Sequence, residues 1–190
     1  MKANQQKNRL RLIAGTWRGR KLPFAPVPGL RPTPDRVRET LFNWLSPVIR
    51  EARCLDLFAG SGALGFEAAS RGAAEVILVD NHAVVAHSLQ HQVEALGARQ
   101  VSVVQAGCSR YLDGPAHPMD IVFLDPPYQE NLLPGCIDQL ESGGWLADEA
   151  WVYIETGQDL ELEFPGNWET YRSKSTGQVC SRLIRRQAAE

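Results

Sequence analysis

The 190-residue sequence predicts an α/β protein built on a mostly parallel sheet. Three observations carry this expectation. Short apolar runs alternate with amphipathic stretches, the pattern of strands joined by crossover helices. The string Gly60-Ser61-Gly62-Ala63-Leu64-Gly65 stands between one such run and the next helical stretch. The run Ile121-Val122-Phe123-Leu124 is apolar without interruption, as in a strand covered on both faces. It stops at Asp125-Pro126-Pro127-Tyr128, where neither proline can donate to a ladder.

Composition sets the frame for the elements. With 44% hydrophobic and 22% charged residues, the chain is long enough for one well-buried soluble domain. No apolar run approaches the ~18 residues of a membrane span. The N-terminus is polar and basic with no apolar core, so no secretory leader is expected. Cys54, Cys108, Cys136 and Cys180 lie far apart and form no Cys-x-x-Cys pair, which favours a reduced, cytoplasmic protein without zinc. The net charge of −2 hides an asymmetry. Residues 1–50 hold 11 Lys and Arg against 2 acids, while the remaining 140 hold 9 against 20. A basic arm of +9 on a body of −11 points to a polyanionic partner met at one end.

Residues 1–8 are polar and expected to be disordered. Arg9 to Ile13 alternates basic and apolar residues, Gly15 to Gly19 is turn-like, and Arg20-Lys21-Leu22 resumes the alternation. This reads as a basic β-hairpin able to lay cations along a phosphate backbone. The prolines at 23, 26, 28 and 32 make a stiff linker. Residues 1–32 thus form an arm, and 33–190 the main domain. Thr33 suits an N-cap, with Pro34 at the first helical position. Val37, Leu41, Trp44, Leu45 and Val48 then give one apolar helix face, and Arg36 and Arg38 near its start are positioned for an anion.

Strands follow at Cys54–Phe58, Glu75–Asp80, Val101–Val104, Asp120–Leu124 and Trp151–Glu155. Helices are expected from the glycine string to Ser70, stopped by Gly72, over 82–96, stopped by Gly97, and over Leu132–Leu140, stopped by Gly143-Gly144. The 82–96 helix should bury Val84, Val85, Leu89, Val93 and Leu96. His87 and His91 share a helix face, but no carboxylate accompanies them and no metal is expected. Trp168–Lys174 and Gln178–Ile184, joined by Ser175-Thr176-Gly177, form a closing antiparallel hairpin.

The glycines follow a strand and open a helix, the setting in which G-x-G-x-x-G holds a nucleotide. Asp80 ends the next strand and suits both ribose hydroxyls. A dinucleotide needs that loop for a pyrophosphate. S-adenosylmethionine instead brings an ammonium, which Asp56, four residues ahead of Gly60, can meet. This favours S-adenosylmethionine over NAD, with Asp56, Phe58, Gly60, Ser61, Gly62, Asp80, Asn81 and Asp125 around it. After the third strand the chain reads Ala106-Gly107-Cys108, which holds no acid, so any contact with the adenine is expected from the backbone near Gly107 and Cys108.

At the other motif, the rigid prolines hold the Asp125 carboxylate and the Pro126 carbonyl at a set distance. Two adjacent acceptors suit a planar –NH2 group. Tyr128 offers a face on which a ring can stack, worth ~1–3 kcal/mol for a nucleobase. Asp125, Pro126, Pro127 and Tyr128 are the candidate catalytic residues. They resemble the Asp/Asn-Pro-Pro-Tyr signature of S-adenosylmethionine-dependent amino-methyltransferases, and Asp56 to Gly62 resembles motif I of the class I methyltransferases.

Residues 9–186 together resemble the RsmD family of bacterial small-subunit ribosomal RNA methyltransferases. The resemblance rests on Arg18-Gly19-Arg20-Lys21-Leu22, Arg31 to Glu39, Asp56 to Gly65, Asp125 to Tyr128 and Gly143-Gly144-Trp145-Leu146. Arg31 to Glu39 is the most specific of these, since generic methyltransferases lack it. The resemblance implies a seven-stranded class I methyltransferase sheet with a reversed last strand. It implies S-adenosyl-L-methionine as donor and N2 of guanine 966 of 16S ribosomal RNA as acceptor, in a partly assembled small subunit. Arg9, Arg11, Arg18, Arg20, Lys21, Arg31 and Arg36 would hold the RNA, and the enzyme would act as a cytoplasmic monomer without membrane or metal. A DNA adenine methyltransferase would share Asp-Pro-Pro-Tyr but needs a sizeable recognition domain. A protein-glutamine methyltransferase would not need the basic arm. A non-catalytic RNA-binding assembly factor would not need both motifs intact.

Overall fold

The structure, a computed structural model, describes residues 8–30, 32–127, 131–158 and 160–188. Expectations for residues 1–7, Arg31 and Tyr128 lie outside the described residues. Strands β1 (Arg9–Arg11) and β2 (Lys21–Pro23) pair antiparallel, with Leu10 opposite Leu22. Then come α1 (Asp35–Trp44), β3 (Arg53–Asp56), α2 (Ala63–Ser70), β4 (Glu75–Asp80), α3 (Ala83–Leu96) and β5 (Val101–Gln105). They are followed by α4 (Cys108–Leu112), β6 (Met119–Leu124), α5 (Leu133–Ser142), β7 (Leu146–Gly157), β8 (Trp168–Thr176) and β9 (Val179–Gln187).

The main sheet has seven strands in the order β5-β4-β3-β6-β7-β9-β8. The first five run parallel, and β9 pairs antiparallel with both β7 and β8. From β3 the chain steps outward through β4 to β5, then crosses back to β6 on the other side of β3. The crevice between the carboxyl ends of β3 and β6 is therefore a topological switch point, where open α/β sheets bind ligands. Separate apolar cores cover the two faces of the sheet. One holds Phe42, Phe66, Leu89, Phe123 and Tyr153. The other holds Leu55, Val122, Ile137, Trp145 and Ile154.

The basic hairpin docks on α2. Its leucines 10, 12 and 22 and Phe24 are buried in the same core as α1 and α2. Thr16 N–H donates to the Ser70 carbonyl at 2.7 Å and Trp17 N–H to Ser70 Oγ at 3.0 Å. A Cβ at Gly15 would run into that carbonyl, so the turn admits only glycine there. A buried ion pair locks the joint. Arg38 and Glu67 are both inaccessible and meet at 3.4 Å. Glu67 also accepts from Ile13 N–H, Ala14 N–H and Arg71.

The structure corrects several expectations. Thr33 is not the N-cap of α1: Pro34 holds that position without a side-chain cap bond, and the Thr33 hydroxyl turns toward Asp125. The buried face of α1 is Arg38, Leu41 and Phe42, leaving Val37 and Trp44 half-buried. The face is rotated because Glu67 draws Arg38 inward, so Arg38 is not offered to an anion. Val84 is 54% exposed, because it lies one residue off the face formed by Val85, Ala86, Leu89 and Gln92. Helix α4 went unforeseen, since five residues carry no readable period. Strand β7 starts well before Trp151, because Leu146 pairs with Met119 of β6 and β9 pairs with the strand from Glu149 to Gly157.

Candidate active site

Four acids stand at or just past the carboxyl ends of four neighbouring strands: Asp80 on β4, Asp56 on β3, Asp125 after β6 and Glu155 on β7. Each follows an apolar run whose hydrophobic pairing sets the register. Leu124 pairs with Ile154, so the next residues, Asp125 and Glu155, come side by side.

Asp56 is 1% exposed. Its Oδ2 accepts the Gly65 N–H at 3.1 Å, and its Oδ1 has no hydrogen-bond partner. Burial pushes its carboxyl up to about 7, against the pull of the Gly65 hydrogen bond and of the nearby Phe58 N–H dipole, which makes no hydrogen bond of proper geometry, and with the help of the Asp80 charge. A buried acceptor without a partner costs free energy, and a ligand ammonium would supply one. Gly65 lets α2 come close enough to donate: a Cβ there would strike the Leu78 side chain. Asp80 anchors the glycine loop. Its Oδ2 accepts the Gly60 N–H at 3.0 Å and its Oδ1 the His82 N–H at 2.9 Å. A carboxylate oxygen has two lone pairs, so each oxygen keeps capacity for a ribose hydroxyl. Ser61 is buried, Phe58 half-buried, and Asn81 lies exposed at the edge. These acceptors fit a nucleoside carrying a cationic amino-acid tail. Gly107 and Cys108 start α4 beyond β5, on the same sheet edge.

Asp125 is half-buried, with Pro126 buried and Pro127 exposed after it. Thr33 donates its hydroxyl to Asp125 Oδ2 at 3.4 Å. Burial, then the charges of Glu155 and Asp56, hold the Asp125 carboxyl well above the usual range, against the Thr33 bond. Glu155 is buried and also raised by burial, while the Tyr153 hydroxyl donates to it at 2.7 Å. That hydroxyl lies 3.2 Å from Ser181 Oγ. Sequence reasoning missed Thr33, Tyr153 and Glu155 as neighbours of the site. The signal for Glu155 was present: an acid closing an apolar strand, as at Asp80 and Asp125.

Six of the predicted RNA-contacting cations lie among the described residues. Arg9, Arg11, Arg18, Arg20 and Lys21 are exposed on the hairpin, outward of its buried leucines, and Arg36 is exposed at the start of α1. Arg11 bonds Asp35 at 3.1 Å, tying the hairpin to the helix that follows Thr33. His87 and His91 form an edge-on ring pair. Among the described residues no group of three or more His, Cys, Asp or Glu is arranged for a metal ion. No helix among them is long and apolar enough to cross a membrane. Cys108 and Cys136 are drawn together as a pair of buried thiols, which the sequence spacing had not suggested.

Comparison with known proteins bears on the family and the fold. The family model described as Conserved hypothetical protein 95 matches residues 10–185. The chain is 50% identical over 180 residues to ribosomal RNA small subunit methyltransferase D of Escherichia coli K12, covering 94% of this chain and 91% of that protein. It is 45% identical over 181 residues to the protein of that name from Haemophilus influenzae, covering 93% and 94%. A solved methyltransferase structure from Escherichia coli superposes with a TM-score of 0.89 at 49% identity, covering 96% of this chain and all of the other. The crevice between β3 and β6, with its acids and glycine loop, thus lies in a class I methyltransferase fold, and the chain belongs to the Conserved hypothetical protein 95 family, that of ribosomal RNA small subunit methyltransferase D.

Proposed function

We propose that the protein uses S-adenosylmethionine to methylate the exocyclic N2 of guanine 966 in 16S ribosomal RNA, within a partly assembled small subunit. The observation that carries this reading is the pairing of Asp56 and Asp125 across the switch point. One is a buried acid with an unfilled acceptor, the other an acid on a rigid Pro-Pro exit. The first suits the cofactor's ammonium and the second an amino group. The relatives' names support ribosomal RNA as the substrate. In this reading residues 1–32 grip the RNA and residues 33–190 carry the chemistry, in a cytoplasmic monomer.

The cofactor, when bound, supplies a methyl group on a sulfonium. The chain supplies placement. Asp56 holds the ammonium, Asp80 the ribose, and the backbone at Gly107 and Cys108 the adenine. Asp125 and the Pro126 carbonyl accept the two amino hydrogens. They favour the nitrogen as it turns tetrahedral and its lone pair leaves the ring. Tyr128 stacks on the extruded base. Orientation does most of the work. The raised Asp125 carboxyl is suited to take the proton that the nitrogen sheds.

The test is to incubate the purified protein with labelled S-adenosylmethionine and either naked small-subunit RNA or assembly intermediates lacking the modification, then map the product. A single N2-methylguanine at the stated position is expected. Asp125→Ala should abolish turnover and leave cofactor binding nearly intact. Transfer to another amino group would replace the substrate assignment, and substantial activity in Asp125→Ala would remove the assigned role.

A further inference from the structure

A groove of about 130 Å³ opens between α1 and the end of the β8–β9 hairpin. Val37, Leu41, Trp44 and Tyr153 form its apolar walls and floor. Arg36 and Lys174 stand at its rim, and no acid lines it. Lys174 reaches across to Thr40 Oγ1 at 3.2 Å, which spends one of three ammonium donors over the mouth. Val37 and Trp44 belong to the apolar face expected for this helix and are left half-buried. The groove also touches the site. Pro34 lines it, next to the Thr33 that bonds Asp125, and the Tyr153 hydroxyl reaches Glu155.

Resting on the functional reading above, we propose that this groove is a second nucleotide subsite. It takes one unstacked base of the RNA strand beside the target guanine, with Arg36 and Lys174 on the flanking phosphates. Charge selects this occupant. A second cleft among the described residues, between α5 and the chain around Leu162, carries Asp138, Glu161 and Glu163 against Arg182 and repels a polyanion. The α1 groove is apolar where a ring would lie and cationic where a phosphate would lie. The Arg11–Asp35 ion pair ties the basic hairpin to the start of α1, where Arg36 is exposed. An extruded target leaves its neighbours unstacked, and a base inserted here regains stacking and apolar contact.

The experiment measures binding of a ribosomal RNA fragment by fluorescence anisotropy, with an abasic nucleotide placed in turn at each position flanking the target. Wild type is compared with Val37→Glu and Lys174→Glu, and melting temperature and S-adenosylmethionine affinity serve as folding controls. At one flanking position the abasic substitution should weaken wild-type binding about 5- to 100-fold, in line with loss of one stacked base. The same substitution should cost Val37→Glu little, because the subsite is already lost. Lys174→Glu should lower the salt slope by about one phosphate contact. If Val37→Glu does not fold, filling the groove with Thr176→Trp gives the same cycle. RNA binding that responds equally to every abasic position in all variants overturns the subsite and leaves the functional reading intact. Groove variants that fail only on protein-containing particles overturn it in favour of a protein contact. Absence of any RNA binding by wild type overturns both.

Discussion

Asp56 and Glu67 are both buried carboxylates on the same side of the sheet, and they are treated in opposite ways. Glu67, at the joint of hairpin, α1 and α2, meets two backbone N–H groups and two arginines, and is fully compensated. Asp56, at the switch point, has one oxygen satisfied and one bare, and burial raises its carboxyl to about 7. Desolvating an acid is costly unless it is paired and hydrogen-bonded. The scaffold acid meets that requirement within the chain. The site acid leaves it to a ligand.

The largest effect should come from breaking the compensated region. Arg38→Met leaves Glu67 with less countercharge and should destabilise the fold by about 3–5 kcal/mol in chemical denaturation, because one partner of a buried pair is removed. A loss under 1 kcal/mol would show that Arg71 and the hairpin amides suffice alone. The uncompensated region should respond the other way. Asp56→Asn should keep or raise the melting temperature of the ligand-free protein. It should weaken S-adenosylmethionine binding by about 10- to 100-fold in calorimetry, as for a lost charged hydrogen bond.

The pH dependence sharpens the same contrast. The folded protein protonates Asp56 near 7, whereas the unfolded chain does so near 3.8. The folded state therefore binds more protons between these values, and stability falls as pH rises through that window. Asp125 and Glu155, also raised, act with the same sign. The melting temperature of the ligand-free protein should drop from pH 5 to pH 8, and Asp56→Asn should flatten the curve. A profile that rises over this range would contradict the assignment. The smallest effect should be Thr33→Val. It removes a donor that favours the charged Asp125, so the acidic limb of the methylation rate should move to higher pH, with a few-fold loss of rate at neutrality.

Much of this arrangement was legible in the chain, because it is written in local runs. The apolar stretch before each of Asp56, Asp80 and Asp125, and the glycines between β3 and α2, locate the acids at one sheet edge once strands alternate with helices. Outward cations against inward leucines likewise mark the hairpin. The Thr33 to Arg38 segment was less legible. It reads as an ordinary helix start with a cap and two free arginines. In the fold Thr33 serves Asp125 and Arg38 serves Glu67, because partners far along the chain outcompete the local cap. No period or spacing encodes such a pairing.

By itself, then, the sequence determined the α/β class, the strand ends that carry chemistry and the charged arm, since hydrophobic periodicity and backbone restriction act over a few residues. Only the tertiary structure decided which acids are compensated, which face of α1 is buried and where a groove remains. Those depend on which distant groups share one desolvated volume, and burial free energy is set by that neighbourhood rather than by the neighbours in the chain.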